Sequence, residues 1–120
     1  STAVGYLNPI KNRKNLKIIT NAHVKKINLE NKTAKNVDYW QDNELKRVSA
    51  NKEIILSSGS IGSAQILQTS GIGNSEKLKD LGVAMVHDLK GVGENLQDHL
   101  MFRPIYKVHG LKSLNKKVNS

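Results

Sequence analysis

Residues 52–73, KEIILSSGSIGSAQILQTSGIG, constrain the fold more than any other part of the chain. Ile54, Ile55 and Leu56 stand side by side, the pattern of a strand buried on both faces as in a parallel sheet. The run passes into small residues, Ser57 to Ser60, and then into a helical segment with Ile61, Ala64 and Leu67 three apart. Gly71 falls where that helix must stop, since glycine accepts the left-handed conformation that closes a helix. A strand feeding straight into a helix is the building unit of a parallel α/β layer. The glycines within it raise the question of ligand contact.

Their spacing excludes the familiar phosphate loops. A dinucleotide fingerprint needs G-x-G-x-x-G between strand and helix, with an acidic residue about 20 positions later. Here Gly59 and Gly62 are three apart, and Gly71 and Gly73 lie beyond the helix. No lysine follows in a G-x-x-x-x-G-K-[ST] arrangement either. Spacing alone leaves two readings open: tight packing of backbone, or close approach of a ligand.

The flanks supply the rest of the organisation. Residues 2–12 read as a short helix broken near Pro9, and residues 15–20, NLKIIT, as a strand. Residues 22–30, 34–40 and 44–50 follow as strands, separated by turns at Asn31-Lys32 and Gln41-Asp42-Asn43. Short turns between consecutive strands imply an antiparallel meander over about residues 16–50. Beyond the strand-helix unit, a second short helix has Ser75 as its N-cap, Leu78 and Leu81 on its apolar side and Gly82 as its stop. Residues 83–89 are extended and residues 90–99, KGVGENLQDH, are a polar loop. MFRPIYKV, residues 101–108, alternates around Pro104 and reads as an edge strand. The predicted fold class is α/β, an elaborated Rossmann-like dinucleotide-binding domain with an inserted antiparallel β-meander.

Composition narrows the function classes. The 120 residues carry 19 Lys plus Arg against 10 Asp plus Glu, a net charge of +9 of the kind small nucleic-acid binders show. The basic residues are scattered, however, with no aromatic interleaving and no helical stripe, which favours a solvated surface and no nucleic-acid partner. A free-standing basic binding module is the competing reading. There is no cysteine, and His23, His87 and His109 lack metal-ligand spacing, so no metal site is expected. No apolar run approaches the roughly 20 residues a membrane-spanning helix needs. The N-terminal STAVGYLNPI lacks the features of a signal peptide and an initiating Met, so an internal fragment is expected.

Three ordered blocks make the chain recognisable. GSIGSAQILQTSGIG resembles the second signature of the glucose-methanol-choline (GMC) oxidoreductases, with Gly59, Ser60, Ser63, Ile66, Leu67, Ser70, Gly71, Ile72 and Gly73 fitting. Ala64 departs mildly, standing where that family usually has Pro or Ser. STAVGYLNPIKNRKNLKIITNAHVKKI is similar to the segment preceding that signature, and GVAMVHDLKGVGENLQDHL to the phrase that follows it.

The resemblance implies an FAD-dependent alcohol oxidoreductase, in which a hydride passes from a primary alcohol to flavin N5 and an aldehyde results. It places residues 1–99 in the middle and C-terminal part of the FAD-binding domain and residues 100–120 at the start of the substrate-binding domain. The pyrophosphate fingerprint would lie before Ser1 and the catalytic His after Ser120, so no catalytic residue is expected here and the piece alone should not turn over. Val24 matches the position whose main chain meets adenine, although it also reads as an ordinary strand residue. Ser58 and Gly59 match a strand end near the adenosine half, where a Cβ would crowd the cofactor. Asn95 is counted with the cofactor-contacting residues. Asn95 and Asp98 are expected to brace the loop through backbone hydrogen bonds, in preference to a catalytic Asp98–His99 dyad. Choline-oxidising members carry Glu two residues beyond the motif His, where this chain has Met101, so an uncharged alcohol is expected over choline. The resemblance leaves open the electron acceptor (oxygen, a quinone or another carrier) and covalent attachment of FAD, and another flavin-dependent reductase is the second enzymatic reading. The expected location is cytoplasmic, free or membrane-associated.

Overall fold

The structure, a computed structural model, describes residues 1–107, 109 and 110. The meander forms as three antiparallel strands in the order β1 (His23–Glu30), β2 (Thr33–Gln41) and β3 (Glu44–Ser49). Its two turns are two-residue loops with both residues left-handed: Asn31 and Lys32 at φ 49° and 62°, Asp42 and Asn43 at 53° and 61°. That geometry matches the twist of paired strands, and Asn and Asp tolerate it better than most residues. Alternation then sets the faces. Ile27 pairs with Val37 and is the buried residue of β1.

One charge is built into the sheet. Asp38 is 4% exposed and pairs across the strands with Arg47, whose Nε and Nη2 donate to its two carboxylate oxygens at 2.6 and 3.0 Å. The Arg47 hydrogen bonds, helped by Asn28 and opposed by burial, lower the Asp38 pKa from 3.8 to about 2.

The second half comprises α1 (Gly59–Thr69), β4 (Ile72–Gly73), α2 (Ser75–Asp80) and β5 (His87–Asp88). β4 and β5 pair in parallel, Ile72 with His87 and Gly73 with Asp88. The apolar interior is small: Ile27 of β1, Ile66 of α1, and Leu78 of α2 at 1% exposure. Among the described residues no helix is long and apolar enough to cross a membrane.

Several expectations need correction. Residues 15–20 do not join a strand; a hydrogen bond from Gln41 Nε2 to the Thr20 carbonyl, 3.0 Å, ties them to the meander. Residues 53–57 join no strand, and Ile55 is 78% exposed. A strand buried on both faces needs a neighbour on each side, and the described residues supply none. The helix near the N-terminus is a single π-helical turn, Ala3–Leu7. The buried residue of α1 is Ile66, while Ile61 points outward. The N-cap of α2 is Asn74, whose side chain accepts from Glu76 N and Lys77 N at 3.0 and 3.1 Å; Ser75 is the first helical residue. Leu81 lies on the exposed side of the cap. Residues 101–107 form no strand, and Val108 and residues 111–120, which include most of the segment assigned to a second domain, lie outside the described residues.

Candidate functional site

The end of α1 is where the two halves join. Ser70 Oγ accepts from Ile27 N at 2.8 Å and donates to the Ile66 carbonyl at 2.5 Å, all three groups being buried. Thr69 Oγ1 donates to the Lys25 carbonyl at 3.0 Å, with the Ile66 carbonyl also in reach. Lys25 lies where the register between β1 and β2 shifts, between Val24 and Lys26. β1 is an edge strand, and these two hydroxyls occupy its outer edge at Lys25 and Ile27.

Gly71 completes the junction. At φ 85° its carbonyl accepts from Val86 N and His87 N at 2.8 and 3.1 Å. A Cβ there would stand 2.4 Å from the Ala84 carbonyl oxygen. The opening Gly-rich stretch is therefore partly a packing device.

A cleft of about 390 Å³ opens where the Thr69 and Ser70 bonds leave off. One wall is Ala22–Lys25 of the β1 entry with Trp40 beside it, and the other is Ser58, Gly62 and Gln65 at the start of α1. Its volume falls in the range of small-molecule pockets. Lys25 Nζ lies 5.6 Å from the centre of the Trp40 ring, a cation–π distance. The N-terminus of α1 at this cleft is not closed by a side-chain cap: Ser58 offers none, and its own N–H donates to Ser63 Oγ at 3.1 Å.

The structure brings Val24 and Ser58 together on the two walls of this cleft. Gly59 follows Ser58 at φ 77°, with no atom within 4 Å of where its Cβ would be. Helix packing does not demand glycine there, whereas the left-handed backbone does. Asn95 lies elsewhere. It lines a separate cleft of about 870 Å³ between α1 and residues 93–97, on the far side of the helix. Gln65 borders both.

In the following loop, Asp98 Oδ1 accepts from His99 N at 2.7 Å, so Asp98 braces backbone instead of orienting the imidazole. His23, His87 and His109 are exposed. Among the described residues no group of three His, Cys, Asp or Glu is placed to hold a metal ion. Sequence reasoning missed Thr69, Ser70, Trp40 and Lys25 as builders of the site. The adjacent Thr-Ser at a helix end was the one available signal for the first two.

Fold and cleft together define an α/β unit in which an antiparallel meander packs against α1 and a short parallel β4–β5 pair follows. The comparisons with known proteins are specific. Residues 1–101 match the model of the GMC oxidoreductase N-terminal domain. The chain is 51% identical over 100 residues to an oxygen-dependent choline dehydrogenase of Pectobacterium carotovorum, covering 83% of this chain and 18% of that protein. It is 54% identical over 102 residues to an oxygen-dependent choline dehydrogenase of Cronobacter sakazakii, with the same coverage. A solved FAD-dependent oxidoreductase from Chaetomium thermophilum superposes with a TM-score of 0.76 at 38% identity, over 80% of this chain and 17% of that one. The chain belongs to the GMC oxidoreductase family. It spans about a fifth of the length of these relatives.

Proposed function

We propose that this chain is part of an FAD-dependent alcohol oxidoreductase and forms the wall of its adenosine site. The observation that carries the reading is the edge of β1. Thr69 and Ser70 cover that edge at Lys25 and Ile27, and the cleft lined by Val24 and Ser58 begins beside them. An apolar Val24 suits a position where main-chain N–H and C=O make the hydrogen bonds. Gly59, with open space around its Cβ position, suits the close approach of a planar or sugar group. Asn95, across α1, is assigned to the flavin-side loop of the same cofactor. When bound, FAD supplies the hydride acceptor that converts a primary alcohol into an aldehyde. The residues that take the alcohol proton are assigned to other parts of the protein, so these 120 residues alone do not turn over.

The substrate is proposed to be an uncharged primary alcohol. Met101 stands where a carboxylate would meet a quaternary ammonium group, and Arg103 Nε donates to Met101 Sδ at 3.1 Å. A guanidinium at this position disfavours a cationic substrate. Choline is the second reading, favoured by the names of the relatives. Steady-state oxidation by the full-length enzyme separates them. Higher kcat/KM for aliphatic or aromatic alcohols than for choline supports the first, and Met101→Glu should then raise kcat/KM for choline. A clear preference of the unaltered enzyme for choline overturns it.

A further inference from the structure

Among the described residues, one neutral side chain hydrogen-bonds the loop that carries Asn95 to α1. Gln68, half-buried near the end of α1, donates from Nε2 to the Val92 carbonyl at 3.3 Å. Its Cγ lies 3.4 Å from where a Gly73 Cβ would be, so β4 supports it from behind. Gly93, at φ 79°, leaves the space that the amide fills: a Cβ there would stand 2.5 Å from Gln68 Nε2. The turn has two bonds of its own, Val92 N to the Leu89 carbonyl at 3.1 Å and Glu94 N to the Gly91 carbonyl at 3.2 Å. Its other anchor is an ion pair between Glu94 and Lys77 of α2. Both partners of that pair are substantially exposed, which makes it a weak restraint. Directly after it, Asn95 takes the left-handed backbone at φ 55° and lines the cleft between this loop and α1.

From this we infer that Gln68 is a positioning residue: its amide sets the 91–95 turn against α1 and thereby sets where Asn95 stands. Gln68 itself borders the same cleft, so the clamp and the positioned residue share one wall. The inference rests on the assignment of Asn95 to the FAD site. It adds that FAD affinity and the flavin environment depend on a helix residue outside the expected set.

The test uses the full-length protein with Gln68→Met, which keeps the aliphatic stem and removes the donor, and Gly93→Ala, which displaces the amide from the other side. Three readouts are taken: amide exchange at Val92 and Glu94, FAD affinity, and visible circular dichroism of bound flavin. Both variants are expected to exchange faster at the two amides and to bind FAD severalfold more weakly, up to about fivefold, the scale of one weak hydrogen bond lost. The flavin dichroism should change in both. Faster exchange with unchanged affinity and dichroism would show a clamp that does not reach the cofactor, and would overturn the inference. Unchanged exchange would overturn it as well. A wild-type protein that binds no FAD would instead overturn the functional reading beneath it, so the two failures are distinguishable.

Discussion

The two sides of α1 are held by different means. Towards β1 the helix presents Ile66, Thr69 and Ser70, and its contact contains a buried hydrogen bond of 2.8 Å from Ile27 N to Ser70 Oγ and a more exposed one of 3.0 Å from Thr69 Oγ1 to the Lys25 carbonyl. Towards the 93–97 loop it presents Ile61, Ala64, Gln65 and Gln68, and the bond made there is a longer one at 3.3 Å beside an open cleft. The first side has the chemistry of a joint, because each polar group removed from water has found a partner. The second has the chemistry of an adjustable wall. Both sides come from residues 59–71, so one stretch of sequence serves as both anchor and support.

The contrast can be broken most severely at the junction. Gly71→Ala adds a Cβ against the Ala84 carbonyl oxygen and holds a side chain at positive φ. It should lower the stability of the full-length protein by about 3 kcal/mol, summing backbone strain and overpacking, as read by denaturant unfolding. Ser70→Ala comes next. It leaves the buried Ile27 N–H without its acceptor and should cost about 2 kcal/mol, with faster exchange of the Ile27 amide as the local signature. If Ser70→Ala proved neutral, the two sides of the helix would not differ as described.

Acid tests the meander that the joint leans on. The Asp38 pKa is depressed in the folded protein, so its pairing with Arg47 stabilises fully above the unfolded carboxyl pKa near 3.8 and is lost as pH falls towards about 2. Asp38→Asn should flatten that part of the stability–pH profile, measured by thermal unfolding from pH 5 to 2. A variant profile parallel to wild type would remove Asp38 from the account. On the loop side, Gln68→Met should change global stability by less than about 1 kcal/mol, because its bond is long and partly exposed.

How legible each part was in the sequence follows from where its partners lie. The meander was readable because each strand pairs with its neighbour across two residues, and Asn31-Lys32 and Asp42-Asn43 carry the turn chemistry themselves. Ile54–Leu56 misled for the opposite reason. Their apolar run was read as a buried strand, yet the strands that would flank it are not among the described residues, and Ile55 is left in the open. The Asn74 cap was missed because Asn and Ser are equally good caps and adjacent in sequence. Val24 and Ser58 were named from resemblance, and the fold puts them on one cleft. Ser70 stood out only as a signature position, and neither its role nor that of Gln68 was legible, because these depend on Ile27 and Val92, 43 and 24 residues away.

The central claim is that the cleft between the entry of β1 and the start of α1 receives the adenosine half of FAD. A crystal structure of the full-length protein with FAD tests it most directly. The account predicts the adenine against the Val24 main chain, with Ser58 and Gly59 within contact distance and no side chain filling the cleft. Adenosine bound elsewhere, with the cleft occupied by another part of the protein, would contradict it.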